Sequence, residues 1–336
     1  MNYRIETGHG SGGQMTRRLI RDLFMKNFRN KWLDVEGDSA VMQSYGKNIA
    51  MTTDSHVVSP MFFPGGDLGK LAVCGTVNDL AVAGAKPAWL TAGFILEEGL
   101  SLNTLERIVI SMADEARKAG VRIVAGDTKV VNKGQADGIY INTAGVGNVE
   151  DRCLHICSGE KIDHNDVILI NGTIGDHEAA IINAREQFFE SSRLQSDCTS
   201  LNRQISALIS HCQSIKFMRD VTRGGLAGIL TELAEMTGKG VVIRENKIPC
   251  NESVTAFCEM LGFDPLYFAN EGKFITVLPE NEVQDSLEIM KSINGNEPAA
   301  IGFMTSSHPG KVVMETTIGG KRLIEKPWAA NTPRIC

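Results

Sequence analysis

Val77-Asn78-Asp79-Leu80-Ala81-Val82 lies inside a run of small and apolar residues, 67–83, with the length and composition of a buried helix. An unpaired carboxylate is costly there, so Asp79 needs a cation or several hydrogen-bond donors. Three more aspartates follow apolar runs that read as strands: Asp54 in Thr52-Thr53-Asp54-Ser55, Asp127 in Gly126-Asp127-Thr128, and Asp220 in Asp220-Val221-Thr222-Arg223-Gly224-Gly225. Side chains there reach into a crevice. Several convergent carboxylates suit Mg2+ bridging phosphates, because magnesium prefers hard oxygen ligands. Read singly, each aspartate is a helix cap or a turn former.

Outward from these positions the chain mixes strands and helices. In the first half, 17–28 and 102–119 have helical spacing, the second stopped by Gly120. Strands are expected at 48–58, 89–96, 121–125 and 139–146. In the second half, helices are expected at 175–189, 201–211, 225–236, 253–261 and 283–292. Strands are expected there at 166–170, 217–221, 241–244, 274–277, 299–303 and 311–315. A polar seam runs through 148–165. Regular β–α alternation is absent, so two α+β domains fit better than one barrel. The expected division is 1–155, an ATP-binding and dimerisation domain, 156–305, a second α+β domain, and 306–336, a C-terminal segment. From Pro327 onward the segment should be an extended, mobile tail.

Composition narrows the function. The 336 residues are 43% hydrophobic and 22% charged, and the net charge is −6. That excludes a disordered chain and gives no electrostatic case for nucleic acid or an anionic membrane. No apolar run approaches the roughly 18 residues of a membrane span. No secretory signal is visible, and eight cysteines without a C-x-x-C pair read as free thiols in a reducing cytoplasm. Cys153-Leu154-His155-Ile156-Cys157 would put three zinc ligands on one face of a strand, but a fourth is not evident. Gly8-His9-Gly10-Ser11-Gly12-Gly13 lacks the preceding strand of a dinucleotide fold and reads as a loop closing over phosphate through its N–H groups. Pro64 and Leu71 stand where a P-loop needs glycine and Ser or Thr.

The four aspartate motifs, with Asn78-Asp79-Leu80-Ala81-Val82-Ala83-Gly84-Ala85 and Gly126-Asp127-Thr128-Lys129 in full, resemble the ATP-binding superfamily of aminoimidazole ribonucleotide synthetase. Selenophosphate synthetase and thiamine-monophosphate kinase belong to that superfamily. Within it the chain is similar to the HypE family of hydrogenase maturation proteins. The similarity rests on His9-Gly10-Ser11-Gly12-Gly13, Phe62-Phe63-Pro64-Gly65-Gly66, Gly93-Phe94-Ile95-Leu96-Glu97-Glu98-Gly99, Phe268-Ala269-Asn270-Glu271-Gly272-Lys273 and the ending Pro333-Arg334-Ile335-Cys336.

The resemblance implies a two-domain fold, a homodimer paired through its N-terminal domains, and ATP bound at their crevice. It implies nucleotide contacts from Gly10, Gly12, Gly13, Asn78, Thr128, Arg223 and Gly224. Mg2+ would be held by Asp54, Asp79, Asp127 and Asp220. It also implies a reaction: the carbamoyltransferase HypF loads a carboxamide on Cys336, and ATP drives its dehydration to a thiocyanate. Cyanide then passes to the HypC–HypD scaffold for the iron cyanide ligands of [NiFe]-hydrogenase. Glu271 is the expected base and Lys129 the expected cation near the amide oxygen or the phosphate. A thiol beside its own α-carboxylate is poorly activated, which suits a carrier loaded by another enzyme. From Pro327 the tail can reach roughly 30 Å at about 3.3 Å per residue. Two other readings stay open: a small-molecule kinase or synthetase of the same superfamily, and a non-enzymatic scaffold that binds ATP.

Overall fold

Along β1 (Asn48–His56) burial alternates residue by residue, the pattern of a strand covered on one face. Thr52, Asp54 and His56 turn inward, while Met51, Thr53 and Ser55 are exposed. The covering element is α1 (Leu68–Val82), buried on nearly every side. Its cap is Asp67, which accepts from the N–H groups of Gly69 and Lys70. The structure, a computed structural model, describes residues 4–6, 9, 18–31, 47–189, 193–294, 297–327, 332 and 334–336. Gly10, Gly12 and Gly13 lie outside them.

After α1 come β2 (Ala85–Glu97), α2 (Leu102–Ala119), β3 (Arg122–Val131) and β4 (Ile139–Val149). The four strands form one sheet in the order β1-β4-β2-β3. Only β2 and β3 are parallel, and α2 makes the crossover between them. Helix α2 ends at the expected Gly120, whose φ of 76° is the left-handed cap that glycine adopts without strain.

The second sheet has seven strands. The elements are β5 (Val167–Ile170), α3 (Asp176–Glu186), α4 (Asn202–His211), β6 (Phe217–Asp220), α5 (Gly225–Thr237) and β7 (Gly240–Arg244), then α6 (Glu252–Leu261), β8 (Phe274–Leu278), α7 (Val283–Asn294), β9 (Ala299–Thr305), β10 (Val312–Glu315) and β11 (Lys321–Ile324). Their order is β11-β10-β7-β9-β5-β8-β6. Among the described residues, no helix is long and apolar enough to cross a membrane.

Three expectations change. Strand β11 is absent from the sequence reading, because Lys321 and Arg322 hide its period, yet it pairs with β10. Residues 312–324 thus pair into the second sheet. Residues 153–157 are not a strand but a 3-10 turn, Asp151–Cys153, followed by further turns. Cys153 is buried there and Cys157 exposed, and His155 Nε2 lies 2.9 Å from the Ile215 carbonyl. The three do not share a face. Last, residues 334–336 are docked, as described below.

Asn78 joins the two halves. Its side-chain oxygen accepts from Leu201 N–H at 2.8 Å, and its Nδ2 donates to the carbonyls of Thr199 at 3.0 Å and Glu271 at 3.4 Å. Within the chain its amide is buried and engaged in this joint.

Helices α1 and α2 touch where Gly69 faces the Ile108 carbonyl. A Cβ at 69 would stand 2.1 Å from that oxygen, which belongs to rigid backbone. Gly69→Ala must separate the helices, so it should destabilise the protein by about 1–3 kcal/mol, read by denaturant unfolding.

Candidate active site

The C-terminal residues pack onto the chain just beyond β1. Val57 N–H donates to the main-chain oxygen of Cys336 at 3.0 Å, and Ser59 N–H to that of Arg334 at 3.2 Å. Arg334 Nε returns a bond to the Val57 carbonyl at 2.9 Å. Between them Ile335 is buried in the N-terminal core, and Cys336 packs against the same core. The tail expected from Pro327 lies mostly outside the described residues, and its last three residues are docked here: an apolar residue at 335 supplies burial that a sequence with two nearby prolines did not suggest. Burial above all, and then the neighbouring Glu271, push the Cys336 thiol up to about 12 against the opposing charge of Arg223. A docked Cys336 is therefore a neutral thiol and a poor nucleophile.

Glu271 sits on a loop held from below. Asp197 accepts from the N–H groups of Glu271 at 3.0 Å and Gly272 at 3.1 Å, and from Lys273 Nζ at 2.8 Å. Position 272 admits only glycine, since a Cβ would lie 2.1 Å from the Asp197 carbonyl. Burial opposes the Asp197 charge, yet Lys273 prevails and holds its carboxyl below the usual range. The Glu271 carboxyl is itself buried, and none of the described residues hydrogen-bonds it. Burial pushes it well above the carboxylate range, followed by the charges of Cys198, Asp54, Asp197 and Asp220.

Beside this pair runs a groove of about 470 Å3 between the two halves, lined by Thr52, Asp79, Asp220, Thr222 and Arg223. Thr52 Oγ1 donates to Asp79 at 2.8 Å. Asp79 is raised, by burial above all and then by Asp54, while Arg219 and Arg223 pull it down. Asp220 is pushed up to about 7, by burial first and then by Asp79 and Asp54. The carboxylates of Asp54, Asp79, Asp220 and Glu271 thus form one repelling cluster. Hard oxygens under mutual repulsion fit a divalent cation that also takes phosphate oxygens. No three of the described acidic, His or Cys side chains cage an ion by themselves. Arg223 is exposed at the groove, and Gly224, with φ of 82°, turns the chain into the N-terminus of α5. That combination suits an anion.

Asp127, Thr128 and Lys129 do not join this cluster within one chain. They lie on β3, at the far edge of the first sheet. Asp127 is in register with Gly93, Asn142 and Ser55, so it is about 14 Å from β1, three strand spacings away. Asp127 and Lys129 are exposed, pair with each other at 2.8 Å, and line a separate depression of about 430 Å3 with Ser55 and Asn142. Asp54 faces the opposite side, toward Gly75 of α1. The fourth expected metal ligand and the expected cation are therefore on the open face, because the alternation of side chains across four strands is a matter of register, which motif spacing does not carry.

Sequence reasoning missed His56 and His177. His56 is buried, with Nε2 3.5 Å from Asp54 Oδ2 and with Nδ1 unpartnered. His177 is fully buried on α3, within Asp176-His177-Glu178. Three polar residues placed directly before the apolar run Ala179-Ala180-Ile181-Ile182 were the available signal.

Comparison with known proteins gives the family. The AIR synthase related protein N-terminal domain matches residues 36–149, and the corresponding C-terminal domain matches 164–315. The carbamoyl dehydratase HypE of Azotobacter vinelandii is 46% identical over 336 residues, covering 100% of this chain and 98% of the relative. The crystal structure of hydrogenase maturation protein HypE in complex with ATP superposes with a TM-score of 0.94 at 44% identity, over 98% of this chain and 99% of that one. The HypE–HypF complex contains a chain matching with a TM-score of 0.80 at 44% identity, over 92% of this chain and 99% of that one.

The carboxylate cluster makes stability fall with rising pH in the ligand-free protein. Asp220 ionises near 3.8 when unfolded and near about 7 when folded. The folded state therefore keeps a proton that the unfolded chain releases, and the stabilisation present below 3.8 is lost as pH rises through about 7. The melting temperature should decline across this window, and Asp220→Asn should flatten the decline. Equal slopes in the two proteins would assign the effect to other groups.

Proposed function

The chain belongs to the AIR synthase related family, among the carbamoyl dehydratases HypE, and from that premise we propose how its residues carry the reaction. It is an enzyme of hydrogenase maturation that removes water from a carbamoyl group. In our reading the group is a carboxamide on the Cys336 thiol, loaded by HypF, and the product is a thiocyanate whose cyanide passes to HypC–HypD. The observation that carries this reading is the docking of Cys336 on Val57, with Glu271 close enough to raise its thiol.

Loss of a carbonyl oxygen needs a better leaving group, and ATP supplies one. The amide oxygen attacks the γ-phosphorus and ADP departs, while the nitrogen gives one proton to Glu271. The O-phosphorylated imidate then loses its second nitrogen proton. The nitrogen lone pair closes the C≡N bond and phosphate leaves. The balance is carboxamide plus ATP to thiocyanate, ADP, phosphate and one proton. A carboxylate with a raised pKa is a stronger base than an ordinary one once it is ionised, and among the described residues none hydrogen-bonds the Glu271 carboxyl. Mg2+, when bound, supplies positive charge at the phosphates. Asp54, Asp79 and Asp220 would hold it, and their mutual repulsion in its absence supports that role. Arg223 and the α5 N-terminus would orient phosphate.

Lys129 and Asp127 act, in this reading, across a homodimer. The open face of the first sheet exposes Ile49 by 64% and Met51 by 73%, which a second copy stacked on it would cover. Such stacking sets the β3 edge of one protomer over the β1 region of its partner. Lys129 and Thr128 would then reach the nucleotide, and the Gly10, Gly12 and Gly13 loop would close on it. The free cysteines among the described residues accord with a cytoplasmic setting.

Two variants test the division of roles by mass spectrometry of the C-terminal peptide after incubation with HypF, carbamoyl phosphate and ATP. Glu271→Gln should load normally and accumulate carboxamide, with dehydration slowed by about 10²–10⁴-fold, as expected when a general base is removed. Thiocyanate formed at the parent rate would exclude Glu271. Cys336→Ser should carry no modification and keep its ATP affinity, since an alkoxide is scarce at neutral pH where a freed thiol is partly ionised. A group lighter than carboxamide by one water on any other residue would refute the carrier role.

A further inference from the structure

Each of the docked residues 334–336 has a main-chain oxygen that receives a donor, and helix α3 supplies two of the groups. His177 Nε2 lies 2.6 Å from the Ile335 oxygen, and the Arg185 guanidinium bonds the Arg334 oxygen and the Ser59 carbonyl. The proton on His177 can be placed. Ser196 Oγ accepts from Cys198 N–H at 3.1 Å, so its own hydroxyl proton is free to point at His177 Nδ1, 2.7 Å away. Nδ1 accepts, and Nε2 carries the hydrogen it donates to Ile335. Phe63 meets the His177 ring edge-on at 5.5 Å and fixes its plane. Arg334 adopts the left-handed region at φ 57°, which a non-glycine residue keeps only where contacts impose it.

The same short segment holds the base. Ser196 orients His177, Asp197 clamps the backbone N–H groups of Glu271 and Gly272 and the Lys273 ammonium, and Thr199 N–H donates to the Glu271 carbonyl at 3.2 Å. The carrier and the base are therefore set from one stretch of chain, residues 196–199.

We propose that His177 and Arg185 are positioning residues that dock the C-terminal segment for dehydration, with Ser196–Thr199 setting the register between Cys336 and Glu271. The proposal rests on the reading of Cys336 as carrier. The docked thiol is buried and neutral, so loading takes place with the segment released. The two residues then divide its time between loading and dehydration.

The test separates docking from chemistry. His177→Leu removes the donor, and His177→Gln restores one from its amide. Arg185→Met, at a half-buried position, serves where the Leu variant does not fold. Alkylation of Cys336 by iodoacetamide, read on its own peptide, reports release without any partner. For dehydration, Cys336 is loaded chemically with potassium cyanate, whose acid adds a thiol to give the carboxamide, and one turnover with ATP is followed. Losing a hydrogen bond to a buried carbonyl should speed alkylation by about tenfold and slow dehydration by about tenfold, at unchanged ATP affinity and melting temperature, with recovery in the Gln variant. Parent-like alkylation in both His177→Leu and Arg185→Met overturns the proposal. So does a loss of ATP affinity and melting temperature alongside the rates without rescue by Gln. A parent protein that alkylates slowly but forms no thiocyanate counts against the carrier chemistry, while the alkylation arm still decides docking.

Discussion

The buried carboxylate of Asp197 ties three consecutive residues to one point: two N–H groups, from Glu271 and Gly272, and the ammonium of Lys273. Both partners of the ion pair are about 5% exposed, at 6% and 5%. Removing one member of such a pair costs about 3–5 kcal/mol, because the other charge is left buried and unpaired. The loop is thus expensive to deform, although no strand or helix runs through it. Glu271 gains a fixed main chain and an unengaged side chain from this arrangement. A base must meet its substrate within a narrow range of geometry, and here the precision comes from the neighbour of the base rather than from a bond to the base itself.

The rest of the acidic groups have the opposite electrostatics. Asp197 has Lys273 and stays ionised, whereas burial and then Asp79 and Asp54 raise Asp220 to about 7 against the pull of Arg219. Arg219 and Arg223 pull Asp79 down without outweighing burial. The groove is consequently a place where a cation lowers the free energy of several groups at once. A cation arriving with phosphate would relieve the repulsion and return the carboxylates to their charged forms. The buried base next to them shares that field, so its protonation is linked to occupancy of the groove.

Much of this was legible in the residues alone. The 102–119 helix with its Gly120 stop, the buried 67–83 helix with a carboxylate inside it, and the paired α+β organisation all follow from local periodicity and capping. Asp54, Asp79, Asp220, Glu271 and Cys336 do gather at one place. What the motifs do not carry is information that lies in register. Asp127 and Lys129 read like their counterparts, each after a strand, but one sheet presents two faces and four strands, and spacing within a motif does not say which face or edge a residue takes. Asn78 shows a related limit of spacing. Its neighbour Asp79 faces the groove, and one residue back along the helix the side chain turns into the joint between the halves. Strand β11 was hidden because an edge strand with exposed Lys321 and Arg322 has little apolar pattern to show.

The docking of the C-terminal residues has a chemical logic of its own. A carrier has to be accepted by the same site as a thiol, as a carboxamide and as a thiocyanate. These differ in size, polarity and hydrogen bonding at sulfur, so contacts made to the sulfur would favour one state and impede turnover. The bonds seen here instead go to main-chain oxygens of Arg334, Ile335 and Cys336, from Val57, Ser59, His177 and Arg185. The apolar anchor is Ile335, one residue away from the chemistry. None of these contacts senses what Cys336 carries. The energy of docking is therefore nearly uniform across the reaction states. What differs between the states is met only by the groups around the sulfur, Glu271 foremost, and that is where a stabilisation specific to the transition state belongs.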